Sequence, residues 1–311
     1  MCVVPLRLAR ERRFPPRLAR PRAICHAAPV TDPLRPDPTA AAMAWADRVR
    51  RNREQVERRR VVLPERGDFY APIANWFRAD PRREGDATLD ALRALVRPDD
   101  SVLDIGAGGG RYTLPLALHA REVIAVEPSE GMREVLTEGM AEHGIDNIRV
   151  VDTRWPADEP LSADVALISH VGYDIEDFGP FLDAMEEAAG RLCVAALLSR
   201  PPPSRSDPFW EAVHGEPRDP LPALPEFLAL QLARGRLCEV SFVEYGGIAY
   251  DTEDDVVAFL RQQLWIAEGS PQDEQLLAML PDYIHEEGGR VEFNWDPGVL
   301  GVVSWTPPAN G

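Results

Sequence analysis

The chain has 311 residues, of which 45% are hydrophobic, and this suffices for one large domain or two modest ones with packed cores. No apolar run approaches the roughly 20 residues that a helix needs to cross a bilayer, so we expect a soluble, cytoplasmic protein without a membrane partner. The formal net charge is −17 although residues 1–42 are basic, so the rest of the chain is still more acidic and repels the phosphate backbone of RNA and DNA, and nucleic acid is not an expected partner.

The first part of the chain, residues 1–42, is rich in Arg and Pro and lacks hydrophobic periodicity, which predicts a disordered tail. An over-extended reading frame is the alternative explanation, because a regular helical pattern begins only at Met43. Residues 43–85 are predicted to form an N-terminal helical cap, in which a charged helix ends at Pro64 and an aromatic segment follows. The main domain is expected to begin with the helical pattern at about residue 86.

Strand-like and helix-like segments then alternate between residues 101 and 199. The strand-like segments are SVLDI, EVIAVE, NIRVVD, VALISHV and RLCVAALLS. Their uniformly apolar composition is typical of strands buried on both faces of a parallel sheet. One intervening helix has credible caps, with Ser129 at its start and Gly144 at its end. The alternation predicts a doubly wound α/β fold.

A proline-rich excursion follows Ser199, and residues from about 200 to 290 are predicted to form an inserted lid with several helices. The segment LCEVSFVEY is predicted as the sixth strand. RVEFNW and LGVVSW are predicted as further strands, joined to each other by a hairpin turn at Asp296-Pro297-Gly298.

The glycine loop after the first strand distinguishes two kinds of nucleotide site. A dinucleotide fingerprint, Gly-x-Gly-x-x-Gly, would need a third glycine at the position of Arg111. The glycines are instead Gly106, Gly108 and Gly110, and Asp104 stands two residues before the first of them. A carboxylate there is unfavourable beside a pyrophosphate but attracts a cation or an amino group.

The segment from Asp104 to Gly110 resembles motif I of the class I S-adenosylmethionine-dependent methyltransferases, and the resemblance extends over about residues 86–200. It implies a mostly parallel seven-stranded sheet with N-terminal helices and a helical insertion before the last strands. One methyltransferase domain would then occupy residues 86–311. The resemblance also implies that the protein is an enzyme that uses S-adenosylmethionine as its cofactor.

The same resemblance assigns cofactor contacts to residues at the ends of the strands. Glu127, which ends the second strand, would accept hydrogen bonds from both ribose hydroxyls. Asp152, after the third strand, would meet the adenine amino group, and Ser169, in the fourth, is a further cofactor-binding candidate. The pair Ala163-Asp164 also matches the family at the start of the fourth strand.

The methyl acceptor is expected to be a small molecule, methylated on O, N or C. The [DNS]-P-P-[YF] signature of DNA adenine and protein glutamine methylases is absent after the fourth strand, as is the Pro-Cys of cytosine C5 enzymes. His170, at the carboxyl end of that strand, is the candidate general base, with a pKa near the working pH. Alternatively, His170 contacts the cofactor or packs under a loop, and Tyr173 and Asp174 are neighbouring candidates.

Aromatic residues on either side of the sheet segments are candidate walls of the acceptor site, although ordinary packing explains them equally well. They are Tyr70, Trp76, Phe77, Trp210, Trp265, Tyr283, Phe293 and Trp295. The four cysteines form no Cys-x-x-Cys pair, and no metal site is expected. Two other functions stay open: a non-catalytic module that binds S-adenosylmethionine, and an NAD-dependent oxidoreductase.

Overall fold

A seven-stranded sheet organises the computed structural model, which describes residues 35–60, 68, 70–245, 249–294 and 298–308. Its strands are β1 (Ser101–Ile105), β2 (Glu122–Val126), β3 (Ile148–Val151), β4 (Ala163–Ser169), β5 (Ala189–Leu198), β6 (Glu239–Glu244) and, late in the chain, Val299–Trp305. Two short strands intervene, β7 (Ile284–Glu287) and β8 (Arg290–Phe293), so the last strand is β9. The order is β3-β2-β1-β4-β5-β9-β6, with β9 antiparallel to both neighbours. The predicted fold class is confirmed.

Nine α-helices are described, and most of them cover the two faces of this sheet. They are α1 (Pro38–Arg60), α2 (Ala87–Leu95), α3 (Thr113–Ala117), α4 (Glu130–His143), α5 (Phe178–Ala188), α6 (Asp207–His214), α7 (Leu224–Ala233), α8 (Glu253–Leu264) and α9 (Pro271–Met279). Helix α7 lies in the region predicted as a lid, yet its Phe227 is buried in the core of the sheet. No helix of the described ranges is both long enough and apolar enough to cross a membrane.

Alternate residues of the strands face two different helical layers. On β1, Leu103 and Ile105 belong to the core shared with α5 and α7, whereas Val102 belongs to the core shared with α2, α3 and α4. Because side chains alternate across a strand, Asp104 lies on the same face as Val102. The sheet therefore directs the carboxyl group of the glycine motif towards α3.

The N-terminal helix begins earlier than predicted, at Pro38 rather than at Met43. The carboxylate of Asp37 accepts hydrogen bonds from the backbone N–H groups of Thr39 and Ala40, at 2.8 and 3.2 Å. Such a cap satisfies donors that have no partner within the helix, and this explains the earlier start. Residues 1–34, the greater part of the predicted tail, lie outside the described residues.

The caps predicted for α4 are confirmed. The Ser129 hydroxyl accepts a hydrogen bond from the backbone N–H of Met132 at 3.2 Å, and Gly144 ends the helix with φ of 64°. These caps fix the start of α4 directly after β2, where the functional candidates lie.

A separate hydrophobic core lies in the insertion. Phe209 and Trp210 of α6 pack there with Tyr250, with Phe259 of α8 and with further buried residues, and we call this cluster the insertion core. Trp76, from the segment before α2, contacts it through the rings of Tyr250 and Phe259, at 5.9 and 6.3 Å between centroids. The predicted helical insertion thus has a packed centre of its own.

The predicted pairing of the late strands is wrong. β8 pairs with β7 in a two-stranded antiparallel sheet, and β9 lies between β5 and β6. Gly288 and Gly289, with φ of 60° and 79°, make the tight turn between β7 and β8, because two successive left-handed residues suit a two-residue hairpin. Residues 295–297, which hold most of the predicted turn, lie outside the described residues.

Candidate functional site

The glycine loop connects β1 to α3 at the carboxyl edge of the sheet. Gly106, Gly108 and Gly110 have φ of 77°, 55° and 89°, a region in which side chains are strained. The N–H groups of Gly106 and Ala107 both donate to the carbonyl of Val126 at the end of β2, at 2.8 and 3.1 Å. The loop is therefore fixed across the ends of two adjacent strands, and the three predicted glycines lie together.

Glu127 fastens this loop to the next helix. Its Oε2 accepts a hydrogen bond from the N–H of Gly108, and its Oε1 accepts one from the N–H of Ser129, both at 2.8 Å. Only 6% of Glu127 is exposed, and burial raises the pKa of its carboxyl, although these two hydrogen bonds act in the opposite direction. Each carboxylate oxygen keeps a second lone pair, so the group can still accept two hydroxyl hydrogen bonds.

Asp68 and Tyr70 join this site, and sequence reasoning missed the first of them. The Asp68 carboxylate accepts hydrogen bonds from the hydroxyl of Ser129 at 2.7 Å and from the N–H of Gly131 at 3.3 Å. The pKa of Tyr70 is raised to about 12 by burial and by the charges of Asp174, Glu127 and Asp68, although 44% of the residue stays exposed. Asp68 precedes a short aromatic segment without periodicity. The sequence around it therefore carries no pattern, and only its negative charge marks it as a candidate site residue.

Phe77 brings the same segment against the loop. It ends a 3₁₀ helix, Ala71–Phe77, and packs with Met132 and Val135 of α4. A Cβ atom added to Gly109 would lie 3.2 Å from the Cβ of Phe77, so the two backbones are in close approach. Of the predicted aromatic walls, Tyr70 and Phe77 thus lie beside the glycine loop.

Most of the other predicted aromatic walls pack in or against the insertion core. They are Trp76, Trp210, Trp265, Tyr283 and Phe293. Trp210 is fully buried there, beneath the guanidinium of Arg218 at 4.6 Å from the ring centroid. Trp295 lies outside the described residues.

Asp104 is almost wholly buried beneath the loop, with 2% exposure. Its Oδ2 accepts a hydrogen bond from the hydroxyl of Thr113, the first residue of α3, at 2.6 Å. Burial raises the pKa of Asp104 to about 6, and the bond from Thr113 opposes this shift. The carboxyl thus anchors α3 under the loop, and a direct contact with the cofactor stays a prediction.

We expect Asp104→Asn to change how the stability of the protein depends on pH. The raised pKa means that the folded state binds this proton more tightly than the unfolded chain, so stability falls as pH rises towards and through about 6. Between pH 5 and pH 8 the loss is about 1 kcal/mol, and the Asn variant should not show it. Urea unfolding at both pH values measures the difference, with the exposed Asp99→Asn as control. Equal pH dependence in the wild type and the Asp104 variant would contradict the assignment.

The acidic candidates at the ends of β3 and β4 have ion or hydrogen-bond partners. Asp152 is 69% exposed at its side chain and forms an ion pair with Arg133 at 2.8 Å, and Arg133 also donates to the carbonyl of Glu127. Its predicted contact with adenine stays a prediction. Asp164, at the amino end of β4, accepts hydrogen bonds from the N–H and hydroxyl groups of Ser101, so it joins β4 to β1 away from the site.

The carboxyl end of β4 presents two polar atoms to the interior. Ser169 Oγ and His170 Nδ1 are buried, and neither has a hydrogen-bond partner within the described part of the chain. The backbone of His170 is left-handed, with φ of 57°, which a residue with a side chain rarely adopts. Unsatisfied buried polar atoms are costly, and here they point to a ligand site.

The environment of His170 disfavours a near-neutral pKa, and a role for this residue in catalysis stays a prediction. Burial lowers its pKa to about 3, and the positive charges of Arg205 and Arg111 act in the same direction. The imidazole is therefore neutral at working pH and a weak proton acceptor. The ring of Tyr245 lies 5.7 Å from that of His170, and the guanidinium of Arg205 lies 5.7 Å from the same tyrosine ring.

The two neighbouring candidates have different surroundings. The hydroxyl of Tyr173 accepts a hydrogen bond from the N–H of Leu198 at 2.8 Å, so it holds the end of β5. Asp174 lies near Tyr70, on whose pKa its charge acts. Neither Arg205, in a short 3₁₀ helix after β5, nor Tyr245, directly after β6, carries a sequence pattern that could have identified it.

Comparison with known proteins agrees with this geometry. Residues 102–189 match a family model described as a methyltransferase domain. Together with the sheet order, this match identifies a domain of the class I S-adenosylmethionine-dependent methyltransferase type in the chain. The predicted family is confirmed, as are an enzyme domain of this type and S-adenosylmethionine as its cofactor.

Individual relatives match only part of the chain. A tRNA/tmRNA (uracil-C(5))-methyltransferase of Pseudomonas entomophila is 39% identical over 73 residues, which are 24% of this chain and 20% of that protein. A probable cobalt-precorrin-6B C(15)-methyltransferase of Methanobrevibacter smithii is 25% identical over 121 residues, 38% of this chain and 65% of that one. A solved structure of a putative methyltransferase from Bacillus halodurans has a TM-score of 0.47 at 13% identity, covering 71% of this chain and 98% of that chain. The chain thus spans less than two thirds of the curated relatives that it matches.

The prediction that excluded nucleic acid as a partner is wrong. The relatives of the cofactor-binding segment include enzymes named for methylation of uracil in RNA. The prediction relied on the acidity of the chain after its basic first segment and on absent methylase signatures, and a summed charge does not describe the local surface around a site.

Proposed function

We propose that the protein transfers a methyl group from S-adenosylmethionine to a small-molecule acceptor bound beside His170. The observation that carries the proposal is the bridge made by Glu127 between the glycine loop and α4. A buried carboxylate with free lone pairs at this edge of the sheet suits a ribose diol. Glu127 and the loop backbone would therefore hold the cofactor, with Ser169 at the end of β4 as a further contact.

The residues around the site fit such a cofactor. Two of the three loop glycines could not carry a side chain without a clash, since an added Cβ at Gly106 or Gly110 would lie 2.5 or 2.7 Å from a neighbouring side chain. Ser169 Oγ is an unsatisfied buried atom at the same edge. When bound, the cofactor supplies an activated methyl carbon on a sulfonium, so in-line attack forms the bond to the acceptor as the carbon–sulfur bond breaks.

The protein's own contribution is then alignment and exclusion of water. A neutral His170 would orient the acceptor through its unsatisfied Nδ1 rather than remove a proton from it. The acceptor proton would leave to solvent, which is sufficient when the acceptor becomes acidic on methylation. Tyr245 lies beside both groups, at 5.7 Å from the ring of His170 and 5.7 Å from the guanidinium of Arg205, so an acceptor next to His170 would also meet these two side chains.

RNA is a second candidate acceptor, which the named activity of the relatives favours. The matched segment is a quarter or less of this chain and of those proteins, so the rest of the chain decides between the two acceptors. The cytoplasmic location also stays a prediction.

The test uses the purified full chain. Calorimetry with S-adenosylmethionine and S-adenosylhomocysteine should show binding of both, and NADH should not bind. Release of S-adenosylhomocysteine is then measured with a metabolite library and, separately, with total RNA and methyl-labelled cofactor. Release of S-adenosylhomocysteine in the presence of a metabolite supports the proposal. Methyl label found only in RNA would show that RNA is the acceptor. A folded protein that binds neither cofactor form would overturn the function, and binding without release to any acceptor would indicate a non-catalytic module.

A further inference from the structure

Arg205 is a buried cation without an anionic partner in the described part of the chain. Only 8% of the residue is exposed, and among residues 35–60, 68, 70–245, 249–294 and 298–308 it forms no hydrogen bond or ion pair. Its aromatic contact is with the ring of Tyr245, at 5.7 Å from the guanidinium. A buried charge costs several kcal/mol unless an opposite charge and hydrogen bonds compensate it.

Other buried arginines of the protein show the usual arrangement. Arg218, with 7% of its side chain exposed, forms an ion pair with Asp207 at 3.6 Å and donates to the carbonyl of Pro203 at 2.8 Å. Arg234, with 9% exposed, forms ion pairs with Glu186 and Asp183. Arg205 therefore differs from these two arginines, each of which is paired with a carboxylate.

The surroundings of Arg205 are polar and incompletely satisfied. It lies in the 3₁₀ helix Pro202–Ser206, which follows β5 at the carboxyl edge of the sheet. Its positive charge acts on His170, Tyr173 and Tyr250, so these three groups lie within electrostatic reach of it. Two of them, His170 at Nδ1 and Tyr250 at its hydroxyl, hold buried polar atoms without partners among the described residues.

The carboxylate that acts on His170 is engaged by other arginines. Asp86 is the carboxylate that acts on His170, and it is engaged by Arg83 at 2.9 Å and by Arg111 at 3.3 Å. The guanidinium of Arg205 thus has no carboxylate partner among the described residues. The donors around it match an oxyanion, because guanidinium binds carboxylate and phosphate in a two-pronged geometry.

We propose that Arg205 receives an anionic group of the methyl acceptor, so that the enzyme acts on a small organic acid, with His170 and Tyr250 contacting the same molecule. This inference rests on the proposed function. The depth of Arg205 favours a small acid over a nucleic-acid backbone, because proteins bind the phosphates of a polymer with cations on open surfaces or grooves. The ring of Tyr245 adds an aromatic face beside the charge, which suits an acid with a flat or apolar body.

The direct test compares charged and neutral probes of equal shape. Thermal unfolding of the full chain, saturated with S-adenosylhomocysteine, is followed with benzoate, with benzamide, with acetate and with inorganic phosphate. Benzoate should raise the unfolding temperature at concentrations at least about tenfold lower than benzamide, because a hydrogen bond to a charged group contributes about 1.5–3 kcal/mol. A response to phosphate but not to the carboxylates would assign the same site to a phosphorylated acid.

Arg205→Met provides the matched variant, since it keeps the length of the side chain and removes the charge. It should erase the preference for benzoate while leaving the affinity for S-adenosylmethionine within about twofold. Its unfolding temperature without ligands should rise, because an uncompensated buried charge is lost, whereas Arg218→Met should lower it by leaving Asp207 without its partner.

Three results would overturn the inference. The first is an equal response of wild type and Arg205→Met to every anion, including no response at all. The second is a large loss of S-adenosylmethionine affinity in Arg205→Met, which would make Arg205 a ligand of the cofactor carboxylate. The third is transfer of the methyl label to RNA and to no metabolite, with this transfer lost in Arg205→Met. The proposed function is tested separately, by cofactor binding to the wild type. If the wild type binds no cofactor, the proposed function fails, whatever the result for anions at Arg205.

Discussion

Replacing Glu127 with Ala should weaken the binding of S-adenosylmethionine by at least about a hundredfold. The carboxylate accepts hydrogen bonds from Gly108 and Ser129, and the proposed ribose contacts add two more. Hydrogen bonds to a charged group contribute about 1.5–3 kcal/mol each, so the loss of two such bonds already accounts for this factor. Calorimetry with the full chain measures the affinity.

A glutamate on the same strand supplies the control for this variant. Glu122 begins β2 with an exposed side chain, far from the carboxyl edge of the sheet, and Glu122→Ala should bind the cofactor as the wild type does. Wild-type affinity in Glu127→Ala would remove Glu127 from the site. Circular dichroism must show that the variant is folded, because the same carboxylate also fastens the glycine loop.

Replacing Gly106 with Ala should abolish cofactor binding and reduce the free energy of unfolding by roughly 1–3 kcal/mol. Its φ of 77° strains any residue with a side chain, and the new Cβ would lie 2.5 Å from Cγ2 of Val171. Either the loop or the segment after β4 must move, and both border the site. Unfolding in urea and calorimetry with S-adenosylhomocysteine measure the two effects.

Gly144→Ala separates backbone strain from steric overlap. Gly144 also has a positive φ, of 64°, but an added Cβ there meets nothing within 4 Å. This variant should lose about 1 kcal/mol of stability from strain alone and retain full cofactor affinity. Normal binding by Gly106→Ala would show that the loop tolerates displacement, against the rigid arrangement described above.

The parts of the site that sequence reasoning predicted are those built from neighbouring segments. Asp104, the three glycines and Glu127 lie within one strand–loop–helix–strand unit, so spacing alone reports their geometry. The five parallel strands could also be anticipated, because strands buried on both faces have a distinct composition.

Residues brought together from distant segments escaped prediction. Asp68 reaches Ser129 across 61 positions, and Arg205, in the segment after β5, acts through its charge on His170 at the end of β4. The low pKa of His170 follows from burial and from this charge, neither of which is visible locally. The late strands were mispaired for a related reason, since two turn-forming segments compete and only the folded sheet decides which strands each turn joins.

The separate packing of the insertion core bears on how an acceptor could enter and leave. Phe209, Trp210 and Phe259 are buried among one another and not within either core of the sheet. Segments that share one core tend to open as one cooperative unit, with amide protons that exchange together. We therefore expect the insertion to exchange with solvent as a block, at a lower free energy than global unfolding, while β1, β2 and the loop fastened by Glu127 stay protected. Where an acceptor passes through this cluster, its release would depend on the stability of the cluster, and variants with faster release should be sought there.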